Sequence, residues 1–66
     1  MTLQLNGVSH EIESAMSVTD LLSSIGLEGK PVVVEINEEA VFPRDYPQLM
    51  VGDGDRVEVV MLAAGG

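Results

Sequence analysis

Only one stretch of this chain repeats its apolar residues at the helical period, and it is short: Val18, Leu21, Leu22 and Ile25 within "SVTDLLSSIGL". A helix of that length is marginal in water on its own. The remaining apolar runs alternate or read as strands, so the helix must lie on a sheet, and the fold class is α+β. Its ends are punctuated. Ser17 and Asp20 have capping-box spacing, Met16 and Leu21 stand at the staple positions, and Gly26 suits the residue just past the helix.

The strands follow from alternation and turn chemistry. "TLQLNG" places Leu3 and Leu5 on one face, Asn6-Gly7 favours a type I′ turn, and Val8, His10 and Ile12 return in phase, which predicts a hairpin over 2–6 and 8–13. "PVVVEIN" predicts a strand with Val32, Val34 and Ile36 inward and Val33, Glu35 and Asn37 outward. "NEE" reads as a turn and "AVF" as a brief strand. "PRDYP" is irregular, with Leu49 and Met50 expected over one end of the core. "GDGD" is a tight turn, and "RVEVVML" is the last strand. The expected order is β-β-α-β-β-β, as one domain over residues 1–62 followed by a flexible tail, 63–66.

Sixty-six residues suffice for one small core, and the absence of cysteine excludes disulfides and thiolate metal sites. Eleven acids against Lys30, Arg44 and Arg56 give a net charge of -8. That charge opposes binding to phosphate backbones and to anionic membranes, and it serves solubility or steering toward a basic partner. No leader or membrane-spanning run is visible, so the expected location is the cytoplasm.

No constellation for catalysis or metal binding emerges. The serines sit in no nucleophile motif, and His10 falls in phase with core positions. Asp53 and Asp55 lack the further oxygen ligands and flanking helices of a calcium loop. Glu38-Glu39 reads as a solvated turn.

The last strand differs from an ordinary half-buried strand. Val57, Val59 and Met61 share one face, and Arg56, Glu58, Val60 and Leu62 share the other, which begins charged and turns apolar. Either loop 43–50 or a helix covers Val60 and Leu62, or they form, with Val33, a partner-binding patch. Ala63, Ala64, Gly65 and Gly66 follow directly. Four extended residues of this kind reach about 13–14 Å, and their small side chains would let a terminal carboxylate enter a narrow site in another protein. A frayed end is the plain alternative.

Taken with "QLNG", "VTDLL", "VVVEINEEAVFPRDY" and "GDGDRVEVV", the terminal "GG" makes the chain resemble the ubiquitin-like β-grasp sulfur carriers, specifically the ThiS family of thiamine thiazole synthesis. The resemblance covers essentially the whole chain. It implies a mixed sheet of about five strands, with the first and last strands parallel at its centre and the helix packed across one face. It also implies a carrier, not a catalyst. An E1-like (ThiF-like) adenylyltransferase would activate the Gly66 carboxylate with ATP, and a persulfide from a cysteine desulfurase would convert it to a thiocarboxylate. A ThiG-like thiazole synthase would then take the sulfur. No bound cofactor, nucleic acid or membrane is implied. Two neighbouring readings stay open: a MoaD-like small subunit of molybdopterin synthase, and a non-carrier β-grasp interaction module.

Overall fold

The computed structural model describes residues 1–62. The chain order is β1 (Thr2–Leu5), β2 (Val8–Glu11), β3 (Met16–Ser17), α1 (Val18–Ser24), β4 (Val32–Ile36), β5 (Glu39–Val41), a 3-10 turn (Pro43–Asp45), β6 (Met50–Val51) and β7 (Arg56–Met61). Five strands form one sheet in the order β2-β1-β7-β4-β5. β1 and β7 run parallel, with Gln4 opposite Arg56 and Leu5 opposite Val57, and the other pairings in this sheet are antiparallel. This is the ubiquitin-like β-grasp arrangement that the resemblance implied.

The inner face of the sheet and the helix share one core. Leu3, Val32, Val34, Val57 and Val59 supply the sheet side, and Val18, Leu21 and Leu22 supply the helix side, with Ile12 and Val51 closing the ends. A fully buried Val or Leu contributes about 1.5–3 kcal/mol, so these ten residues are the main source of stability in a domain this small. The helix ends as its sequence demands. The Ser17 hydroxyl accepts the Asp20 N–H at 3.0 Å. Beyond Ser24, Gly26 sits at φ +80°. The Leu27 N–H reaches the Leu22 carbonyl at 2.8 Å and the Gly26 N–H reaches that of Ser23 at 3.1 Å, the paired bonds of a Schellman motif.

Both hairpin turns latch onto β7. Asn6 and Asn37 each adopt positive φ, 52° and 51°, as type I′ turns require. Where β1 turns away, the Asn6 side chain continues the parallel ladder. Its Oδ1 accepts the Val59 N–H at 2.8 Å and its Nδ2 donates to the Val59 carbonyl at 3.2 Å. On the other side of β7, the Asn37 N–H donates to the Arg56 carbonyl at 2.7 Å, and Asn37 Oδ1 accepts the Arg56 N–H at 2.9 Å. Thus β7 is held from both flanks by turn asparagines.

Several sequence expectations need correction. A second sheet exists, in which β3 pairs with β6, Met16 facing Val51 and Ser17 facing Met50. Val51, not Met50, covers the core end beside Leu49, because the β6 alternation turns Val51 inward and leaves Met50 exposed. Val8 keeps the predicted phase opposite Leu5, yet it lies at the turn end of an edge strand and is exposed. Met61 shares a face with Val57 and Val59 as expected, opposite buried Val32, and is itself 48% exposed. The turn after β4 uses only Asn37 and Glu38, so β5 begins at Glu39. β2 stops at Glu11, before the predicted residue 13.

Two predictions follow from this packing. Asn6→Gly keeps a backbone suited to positive φ and removes only the latch. It is expected to lower stability by about 1–3 kcal/mol in urea unfolding, because two β7 backbone groups lose their partners. A change within about 0.5 kcal/mol would deny the latch its role. Tyr46 offers a pH test. Its ring is half-buried, its hydroxyl has no hydrogen-bond partner among the described residues, and burial raises its pKa above 10.0. The fold therefore favours the neutral phenol. That preference is fully met below the unfolded pKa and is lost as pH rises through the higher folded value. Tyr46→Phe is expected to match or exceed wild-type stability at neutral pH and to lose less of it above about pH 10. Parallel melting curves for the two proteins across that range provide the check.

Candidate functional site

Because Val57 and Val59 point into the core, Arg56, Glu58 and Val60 must point to the opposite face. On β4, Val32 and Val34 are inward, so Val33 and Glu35 share that outer face. The antiparallel register sets Val33 directly opposite Val60 and Glu35 directly opposite Glu58. The Leu62 N–H donates to the Pro31 carbonyl at 2.8 Å, which carries the β4 contact one step beyond β7.

The three residues expected at a partner surface are therefore assembled. Val33 and Val60 are cross-strand neighbours, and Leu62 follows Val60 on the same side. They are 40%, 58% and 50% exposed, so no described loop or helix covers them. Toward β1 and β2 the outer face is polar: Thr2 and Gln4 of β1 face Glu11 and Ser9 of β2, and Gln4 lies beside Arg56. Toward β5, Ala40 stands opposite Glu35, and Phe42 just past that strand is exposed. The expected tail residues Ala63, Ala64, Gly65 and Gly66 lie outside the described residues.

The remaining candidates resolve into structural roles. Asp53 Oδ1 accepts the Thr2 N–H at 2.8 Å, and Asp55 Oδ2 accepts the Gly52 N–H at 2.8 Å, so both carboxylates close the turn into β7. Glu38 pairs with Arg56 at 3.1 Å. His10 faces Leu3 across the β1–β2 hairpin. No pocket opens and no metal-ligating cluster forms among the described residues. None of their helices is long and apolar enough to cross a membrane. Sequence reasoning placed Glu35 and Glu58 outward but did not pair them. Strand register was the missing information, and alternation alone does not supply it.

The fold and this face define a ubiquitin-like β-grasp domain with one apolar end on its open sheet surface. The ThiS family model matches residues 3–66, and the chain belongs to that family. It is 40% identical over 62 residues to the sulfur carrier protein ThiS of Thermus thermophilus, covering 94% of this chain and 95% of that one. The crystal structure of a thiamine biosynthesis protein (ThiS) from Geobacter metallireducens superposes with a TM-score of 0.86 at 32% identity, over the whole of both chains. A thiazole synthase of Paramagnetospirillum magneticum is 38% identical over all 66 residues, but the chain spans only 20% of that protein's length.

The exposed patch yields a stability contrast. Leu62→Asp and Val60→Asp are expected to melt close to wild type, within the roughly ±0.5 kcal/mol typical of surface changes. Val59→Asp, one residue away and facing the core, is expected to unfold the domain, because an unpaired charge would be buried. Circular-dichroism melts of the three variants test whether β7 divides its faces in this way.

Proposed function

We propose that this chain carries sulfur for thiazole formation in thiamine biosynthesis, as a protein co-substrate with Gly66 as its reactive end. The observation that supports this most directly is the family match, which runs through residue 66 and so includes the glycine pair in the shared pattern. The named relatives support the thiamine branch over the molybdopterin one.

In this reading the chain binds no cofactor, and ATP belongs to the adenylating partner. The Gly66 carboxylate attacks the α-phosphorus of ATP, which gives an acyl adenylate and releases pyrophosphate. A persulfide sulfur, supplied through a cysteine desulfurase, then attacks that carbonyl and expels AMP. Reductive cleavage of the resulting acyl disulfide by a thiol leaves the thiocarboxylate. Glycine suits this chemistry because it has no Cβ to block approach to the carbonyl. The apolar face of Val33, Val60 and Leu62 is the docking surface for the E1-like enzyme, and residues 63–66 form the tail that reaches its active site. A thiazole synthase receives the sulfur. The similarity of this entire chain to a segment of a protein named thiazole synthase supports that partner.

The test is intact-protein mass spectrometry after incubation with ATP, the E1-like partner and a sulfur source. Wild type is expected to gain the mass of one oxygen-to-sulfur exchange, localised to Gly66. A chain lacking Gly65 and Gly66 loses about 7 Å of reach, and a chain with one added residue displaces the carboxylate. Neither is expected to react, since a misplacement of about 1 Å can cost on the order of a hundredfold in rate. Both are expected to melt like wild type, because the core lies between Leu3 and Val59. Thiolation of the truncated chain at the wild-type rate would overturn the proposal.

A further inference from the structure

Glu35 and Glu58 stand directly opposite each other on the outer face, immediately beside the Val33–Val60 pair. Residues so placed have Cβ atoms about 4.5–5.5 Å apart, and like charges there destabilise a sheet. Neither carboxylate forms an ion pair among the described residues. Arg56, on the same strand and face, gives its guanidinium to Glu38 at 3.1 Å, and that is the one ion pair among the described residues. Arg44 lies over the Phe42 ring at 5.2 Å. The sheet thus holds two carboxylates at the border of its exposed apolar patch, neither of them in an ion pair among the described residues.

The charge pattern selects the occupant. A second copy docked face to face would bring four carboxylates together, and nucleic acid or an anionic membrane would add further negative charge. An apolar protein surface that brings one cation fits. Arginine matches better than lysine, since its planar fork can donate to two carboxylates at once and it sheds water more readily. The geometry points to a guanidinium of the adenylating partner seated between Glu35 and Glu58, with Val33, Val60 and Leu62 forming the apolar part of the same contact. This rests on the carrier reading above and adds the chemistry by which its partner is recognised.

The stability and binding effects have opposite signs, which makes the proposal testable. The double variant Glu35→Gln/Glu58→Gln relieves repulsion and is expected to melt at or above the wild-type temperature. Its affinity for the purified E1-like adenylating enzyme, measured by calorimetry, is expected to fall at least about tenfold, as for a desolvated charge pair that loses one side. A control variant, Glu13→Gln/Glu39→Gln, removes the same charge away from the patch and is expected to bind within about threefold of wild type, the scale of screened long-range attraction. Wild-type affinity in the Glu35/Glu58 variant, while Leu62→Asp fails to bind, would overturn this inference and leave the carrier reading standing. An equal loss in the control would overturn it in favour of bulk charge. Failure of the wild type itself to bind the enzyme would overturn both.

Discussion

The five-stranded sheet of this domain is registered on β7. It is the central strand of five, parallel to β1 on one side and antiparallel to β4 on the other. A parallel pair cannot be closed by a tight turn, so the helix and the second hairpin lie in the connection between β1 and β7. The asparagine latches secure this long-range pairing. The amide of Asn6 bonds both backbone groups of Val59, which is 53 residues away in sequence. From the opposite flank Asn37 holds Arg56 with its backbone N–H and its side-chain Oδ1, while its Nδ2 donates to Asp55 Oδ1 at 3.1 Å. One residue type thereby meets two needs, a backbone that tolerates positive φ and a side chain that copies a peptide group.

The central position of β7 explains how a small domain can hold a core and a docking surface together. One face of the strand sinks Val57 and Val59 beneath the helix, while the other carries Glu58 and Val60 into solvent. Substitutions on the outer face are therefore expected to leave the core intact. The Glu35–Glu58 juxtaposition is a local cost of the kind expected where a surface is shaped for binding and not for stability. The strand then leads from Leu62, tied to Pro31, directly to the residues that carry the proposed chemistry.

Much of this was legible in the sequence, for identifiable reasons. The helix stripe, the Ser17 cap and the Gly26 stop are local signals, and local signals survive folding unchanged. Strict alternation in "PVVVEIN" and "RVEVV" placed inner and outer faces correctly, and the loss of polarity at Val60 and Leu62 pointed to the exposed patch. The errors are non-local. Asn6 read only as a turn residue, because nothing near it in sequence reveals a partner at Val59. The β3–β6 pair was missed because two-residue strands carry no period. The facing carboxylates required the register, which belongs to the assembled sheet.

The central claim is that β7 and β4 present their outer face at the exit end to a partner, while the helix side serves only the core. Cross-saturation between the unlabelled E1-like enzyme and this protein, carrying labelled Val and Leu methyl groups, tests it most directly. The account predicts strong attenuation at Val33, Val60 and Leu62 and none at Leu21, Leu22, Val34 or Val57. Attenuation centred on the helix or on Val8 at the far edge, with the three outer methyls unaffected, would contradict it.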